Sequence, residues 1–274
     1  MTSLFEFIIK YLYFKFVTDF RWAIRAHVGG ETLPTLRQNL LAEFVGSMFL
    51  VIAAIGSTIL AFNVFEANLA LAVFMNAIAV AFVLFALIES FGSISGSHFN
   101  PAVTLAMYIT GQMKRRRAVY YVLVQFMGGF AGLIATHLMF FDTVPTIITI
   151  SENTKSAGLY FAEFLGTFIL VGVIIGCVRG GSKHTGLSVA YIVGGMLITT
   201  ASTMFANPMV TFCRIFTYAI CGIAPWDAII FIIAEVAGAI VAAYVFGMIY
   251  PMKLKDRCDP FECPPNKIIE IKPE

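Results

Sequence analysis

Two short stretches of this chain carry the same structural device. They read Ser-Gly-Ser-His-Phe-Asn-Pro-Ala-Val-Thr at residues 95–104 and Phe-Ala-Asn-Pro-Met-Val-Thr at residues 205–211. In each, an asparagine (Asn100 or Asn207) directly precedes a proline. Asparagine is a favoured helix N-cap, and proline suits the first helical position because the N–H it lacks would have no partner there. Each stretch is therefore predicted to start a helix.

The composition places these two motifs in a membrane protein. Of the 274 residues, 59% are hydrophobic and only 12% are charged, a balance that cannot make an ordinary soluble surface. Uninterrupted apolar runs predict six transmembrane spans, at residues 40–62, 68–91, 118–140, 159–178, 186–204 and 227–250.

The helix that begins at Pro101 is too short to be a seventh span. Its apolar run has 13 residues before the basic cluster at residues 114–117. Thirteen helical residues cover roughly 20 Å, whereas the hydrocarbon core is about 30 Å thick. Because the basic cluster must emerge at a surface, Asn100 should lie near mid-membrane. A polar loop at that depth must be buried in protein or line an aqueous path, which predicts a pore or a binding site.

The chain also contains an internal repeat. The segment that begins at Leu40, LLAEFVGSMFL, is similar to the segment that begins at Leu159, LYFAEFLGTFIL. Each half holds three spans and one half-helix, and an odd number of spans inverts the second half, which places a shared site at the interface of the halves. We therefore predict an all-α membrane protein of six transmembrane helices and two re-entrant half-helices in an inverted repeat, with repeats at 38–140 and 159–250.

The basic residues predict the orientation of the chain. Sixteen of the 18 Lys and Arg residues lie in the N-terminal segment, at 114–117, in the loop containing Arg179 and Lys183, and in the C-terminal tail. The positive-inside rule then puts both termini in the cytoplasm, with the protein in the cell membrane. Residues 1–37 are predicted to be an interfacial helix or a loosely ordered tail, and residues 251–274 a cytoplasmic tail with reduced thiols at Cys258 and Cys263.

The paired motifs in two homologous halves resemble the aquaporin/aquaglyceroporin family, over roughly residues 38–250. The resemblance implies a passive channel for small uncharged solutes, embedded in membrane lipid and assembled as a homotetramer. It implies no cofactor, no metal and no nucleic-acid partner. The sequence also contains no nucleotide motif, catalytic triad or zinc cluster, so an enzyme is not expected.

An asparagine that caps its helix through the side-chain oxygen keeps its NH2 group as a donor. Two such donors are expected to meet at mid-pore, where the helix N-termini also oppose cations. The predicted pore centre comprises Asn100, Pro101, Ala102, Asn207, Pro208 and Met209. Glu43 and Glu163 match family glutamates that accept hydrogen bonds from the motif loops; a proton relay is the alternative. His98 resembles the family's loop histidine and is expected to be structural.

The second motif departs from the family pattern. Family members usually continue Asn-Pro-Ala-Arg, and that arginine forms the outer selectivity filter, but this chain has Val210 there, as a microbial branch of the family also does. The distances along the chain from Asn100 and Asn207 assign the family's other filter positions to Val80, Met204 and either Val193 or Gly195.

Arg214 lies four residues beyond Val210 and so on nearly the same helix face. We predict that it is a displaced outer charge of the filter. The alternative is that it binds loop carbonyls or a lipid head group.

An apolar filter suits glycerol-like polyols and neutral metalloid hydroxides, such as arsenous acid, better than a single file of water molecules. The alternative function is an ion-coupled secondary transporter, since inverted repeats also build carriers. Its only candidate ion site is Glu235 in the last span. A non-conducting adhesion or scaffold protein is a third possibility.

Overall fold

The computed structural model describes residues 33–251, which are helical apart from the connecting loops. Over this range the all-α prediction is confirmed. The predictions for the N-terminal segment, for the C-terminal tail and for Cys258 and Cys263 lie outside the described residues.

Eight α-helices occur in the described part of the chain. They are α1 Leu36–Thr58, α2 Leu69–Ser95, α3 Pro101–Ile109, α4 Arg115–Met139, α5 Ala157–Gly180, α6 Thr185–Thr199, α7 Pro208–Arg214 and α8 Pro225–Ile249. A π-helical segment, Ile59–Val64, extends α1. With that extension α1, and also α2, α4, α5 and α8, are long and apolar enough to cross a membrane.

Helix α6 is shorter than the predicted span at residues 186–204, which is wrong at its C-terminal end. The helix has 15 residues and ends at Thr199. Beyond it, Thr203, Met204 and Ala206 have φ angles of +58°, +37° and +45°. Left-handed residues cannot continue a right-handed helix. The chain instead runs as a loop to Asn207, where the second half-helix starts.

The two half-helices begin as the motifs predict. Asn100 is the N-cap of α3 and accepts hydrogen bonds from the backbone N–H groups at 102 and 103. Asn207 caps α7 in the same way, through the N–H groups at 209 and 210. Helix α3 has nine residues, fewer than the 13 of its apolar run, and it ends before Gly111, whose φ is +76°.

Equivalent glycines bring two pairs of helices close together. Gly128 on α4 faces the backbone carbonyl of Phe44 on α1, and Gly238 on α8 faces that of Phe164 on α5. A Cβ atom at either glycine would overlap the facing carbonyl. Small residues permit such close backbone approach between membrane helices. The repeat therefore preserves one packing device, which joins the first and third spans of each half.

We expect Gly128→Ala to destabilise the protein by about 1–3 kcal/mol, the usual cost of overpacking, because α1 and α4 must separate. Gly247→Ala is the matched control, since Gly247 lies on α8 and a Cβ there meets nothing within 4 Å. The control should be neutral or stabilising, because alanine is the better helix former. The difference is measured as the melting temperatures of the two purified variants in detergent, with size-exclusion chromatography used to detect unfolding. Equal melting temperatures would contradict this packing.

Candidate functional site

Glu43 on α1 receives the first motif loop. Its Oε1 atom accepts hydrogen bonds from Ser95 Oγ at 2.7 Å and from the backbone N–H of His98 at 2.9 Å. Its Oε2 atom accepts from the backbone N–H of Phe99 and from Gln125 Nε2, both at 2.8 Å. The carboxyl group is fully buried. All four contacts are hydrogen bonds to one carboxylate, which are stronger than neutral ones, and this geometry supports a scaffold role for Glu43.

Glu163 on α5 receives the second motif loop in the same manner. It accepts the backbone N–H of Phe205 at 2.9 Å and that of Ala206 at 2.7 Å. Glu235 on α8 occupies the position that Gln125 holds in the first half, and its carboxyl group lies within hydrogen-bond reach of Glu163. Thr211 Oγ1 donates to Glu235 Oε1 at 2.6 Å.

The Glu163–Glu235 contact requires a proton. Gln125 offers an amide N–H to Glu43, whereas two ionised carboxylates in contact, both fully buried, would repel each other. Among the described residues, Glu235 Oε2 accepts no hydrogen bond. A proton on the Glu235 carboxyl group, donated to Glu163, accounts for the contact. Glu235 thus does with a carboxylic acid what Gln125 does with an amide.

The two asparagines also join the motif loops to each other. Asn100 Nδ2 donates to the carbonyl of Ala206 at 2.8 Å, and Asn207 Nδ2 donates to the carbonyl of Phe99 at 2.9 Å. Phe99 and Ala206 each precede a capping asparagine and have φ angles of +46° and +45°. A primary amide carries two N–H bonds, so each asparagine uses one across the loops and retains one for the cavity.

A cavity of about 70 Å³ runs past both asparagines. All the predicted filter residues line it: Val80, Val193, Met204, Val210 and Arg214. Its remaining walls are mainly aliphatic, including Leu50, Ala54, Leu84, Leu170 and Leu197. Of the two alternatives at the fifth span, Val193 lies on the cavity and Gly195 does not.

The other predicted pore-centre residues lie behind the asparagines. Pro101, Ala102, Pro208 and Met209 are buried and do not line the cavity. Met209, which replaces the alanine of the family motif, packs its thioether against Gly129 on α4. Its bulk is therefore accommodated between helices. His98 does line the cavity, and its Nδ1 atom lies 3.1 Å from Thr104 Oγ1.

Wider cavities adjoin the central one at both ends. One end is formed by the loop before α5, and we call it the loop end. A vestibule of about 500 Å³ lies there and shares Phe205 with the central cavity. Its lining includes Asn76, Glu152, Lys155 and Cys221. We call the opposite end the basic end, because it carries Arg179 and the cluster at 114–117. A vestibule of about 230 Å³ lies there and shares Ser97 and His98 with the central cavity.

The sequence reasoning missed several of the residues that complete the loops. Thr104 donates to the carbonyl of Asn100 at 3.0 Å and accepts from Gln125 at 3.0 Å. Its counterpart Thr211 follows Asn207 by the same four residues in the sequence. The repeat therefore indicated this pair of threonines. Nothing in the sequence indicated that Phe205 contacts Arg214. No cluster of His, Cys, Asp or Glu that could hold a metal ion occurs among residues 33–251.

Known proteins resemble this chain in sequence and in fold. Residues 31–206 match the family model described as major intrinsic protein. Aquaglyceroporin AqpS of Rhizobium meliloti is 37% identical over 207 residues, which is 76% of this chain and 88% of that protein. The probable aquaporin AqpM of Archaeoglobus fulgidus is 28% identical, over 77% of this chain and 96% of that protein. The X-ray structure of the aquaglyceroporin from Plasmodium falciparum superimposes with a TM-score of 0.63 at 19% identity, covering 77% of this chain and 96% of that one.

We expect Glu235→Gln to assemble and melt like the unchanged protein, because a glutamine can accept from Thr211 and donate to Glu163, as Gln125 does to Glu43. Glu163→Gln is the comparison. It replaces an oxygen that accepts a backbone N–H by an NH2 group, at a cost of about 1.5–3 kcal/mol. Detergent melting curves of both variants measure this. Equal damage by the two substitutions would contradict the protonated Glu235.

Proposed function

The chain belongs to the major intrinsic protein family, whose members are passive channels and not enzymes, and from this premise we propose that its pore passes glycerol-like polyols and neutral metalloid hydroxides, such as arsenous acid, as well as water. The observation that carries the proposal is the central cavity, in which the two asparagine side chains meet a mainly aliphatic wall.

The asparagines supply polar contacts at the centre of the pore. Each retains an N–H donor at the cavity, so a passing hydroxyl or water gives its oxygen to Asn100 and Asn207. Among the described residues, the wall of this cavity includes no Asp or Glu side chain. A cation in the pore would lose its water shell without gaining an anionic partner, whereas a neutral solute loses far less. The arrangement therefore favours uncharged solutes.

The apolar ring supports a pore that prefers polyols, as opposed to one that passes only water. Val80, Val193 and Val210 surround the cavity where the family pattern places its arginine filter, together with Met204. Such a ring cannot replace the hydrogen bonds of water, but it contacts the C–H faces of a polyol favourably. The relative that is 37% identical is itself named an aquaglyceroporin, which agrees with this choice.

We further propose a homotetramer in the cell membrane with both termini in the cytoplasm. The orientation is supported by the basic end, where Arg179 donates to the carbonyl of Thr110, close to the cluster at 114–117. The ion-coupled transporter has less support, because Glu235 is fully buried and does not line the central cavity.

Stopped-flow light scattering on proteoliposomes tests the proposal, with water, glycerol and arsenous acid compared against empty liposomes. We expect glycerol and arsenous acid to cross down their own concentration gradients, at rates that do not depend on an ion gradient. Uptake that depends on an ion gradient would support the transporter instead. No permeability above that of empty liposomes would contradict a channel of any kind.

Val210→Arg should narrow the ring and add a second guanidinium beside Arg214. We expect it to reduce glycerol and arsenous acid permeability by about tenfold and water permeability by less, because the larger solutes need the width that valine leaves. Val210→Leu, which adds volume without charge, is the control, and it should have a smaller effect in the same direction. Equal reduction for all three solutes would show that Val210 does not determine selectivity.

A further inference from the structure

Arg214 is a buried cation on the wall of the pore. It is the last residue of α7, one turn beyond Val210, and its side chain is 2% exposed. It lines the same central cavity as Val210 and the asparagines. A step of four residues along a helix advances about 6 Å and turns by about 40°. The guanidinium group therefore lies on the loop-end side of the apolar ring.

Few contacts hold this guanidinium group. Its central carbon lies 4.0 Å from the ring centroid of Phe205, a cation–π contact. Its Nη2 atom donates to the carbonyl of Ala54 at 3.4 Å, which is long for a hydrogen bond. The Nε and Nη1 atoms are buried and have no hydrogen-bond partner in the described part of the chain. The three N–H bonds of these two atoms thus have no acceptor there, and an unfilled buried donor is costly.

The positive field of Arg214 extends into the vestibule at the loop end. Lys155 lies there, with its amine 5.9 Å from the ring centroid of Phe205. The pKa of Lys155 is lowered, first by burial of the amine and then by the charge of Arg214, while Asp227 and Glu163 act in the opposite direction. Two cations thus flank one aromatic ring where the vestibule meets the central cavity.

We infer that Arg214 is a solute-binding and charge-selecting residue at the loop end of the pore, so that charge and size are selected at two successive levels. The inference rests on the proposed channel function and specifies its substrates. The guanidinium has only donors, so it binds solutes that present oxygen acceptors, such as polyols and neutral hydroxides, and it repels cations. The ring around Val210, one turn further in, then admits solutes by width alone.

The arrangement explains how a wide pore can exclude cations. An arginine at position 210 would narrow the pore and carry the charge at one point. Here valine leaves the width, and the charge stands one turn away, packed on Phe205. Removing the charge and narrowing the ring should consequently have separate effects.

Three variants in proteoliposomes test this separation: Arg214→Met, Arg214→Lys and Val210→Leu. For each, sodium leak, the ratio of glycerol to erythritol permeability and the glycerol concentration at half-maximal flux are measured. We expect Arg214→Met to raise sodium leak and the half-maximal concentration by about tenfold each, with the glycerol to erythritol ratio within about twofold of the unchanged protein. Arg214→Lys should stay cation-tight, because it keeps the charge. Val210→Leu should raise the ratio and leave sodium leak unchanged.

Arg116→Met is the control for loss of an arginine, since Arg116 is an exposed residue at the basic end whose Nε donates to the Tyr120 hydroxyl. It should alter none of the three quantities. An Arg214→Met channel that assembles and stays cation-tight overturns the inference, and so does one that changes the size ratio as much as Val210→Leu. If the methionine variant does not assemble, Arg214→Gln serves as the neutral variant with the same expected results. Absence of glycerol permeability in the unchanged protein would instead refute the proposed function.

Discussion

Two buried carboxylates hold irregular backbone deep inside a membrane-spanning fold, and the pore depends on them. A loop at that depth has no water to satisfy its N–H groups, so each group needs a protein partner. Glu43 satisfies the N–H groups of His98 and Phe99, and Glu163 does so for the equivalent second loop. With the N–H groups bound outward, the strained left-handed residues turn their carbonyls toward the asparagine of the opposite loop. The loops can then present both capping asparagines to one cavity.

The two halves share this scaffold and differ where they meet the solute. His98 in the first loop bonds to a threonine of its own half-helix, whereas Phe205 takes the same place in the second loop and supports Arg214. Gln125 in the first half is replaced by Glu235 in the second, next to Glu163. The repeat thus keeps the hydrogen bonds that build the loops, while among the described residues that line the central cavity the one arginine, Arg214, comes from the second half. The loops are thus held alike in both halves, whereas the side chains on the cavity wall differ between them.

The sequence by itself determined five of the six spans, the inverted repeat and the start of each half-helix, but it extended the fifth span past the end of α6 at Thr199. These features are local or periodic: an N-cap followed by proline needs only neighbouring residues, and a span needs only an uninterrupted apolar run. The repeat also carried Glu43 and Glu163 to equivalent places, and the depth of Asn100 followed from the short distance to the basic cluster. Apart from the repeat, which compares segments beginning at Leu40 and Leu159, these arguments use residues that lie within about one helix of one another.

The tertiary structure alone decided which side chains meet. The spacing left Val193 and Gly195 as alternatives, and only the packing of α6 put the valine on the cavity. Asn100 donates to a carbonyl 106 residues away, and Arg214 to one 160 residues away. No local pattern encodes such contacts, because they arise when helices from opposite halves pack together. For the same reason the sequence suggested a displaced charge at Arg214 but gave no sign of the aromatic ring that holds it.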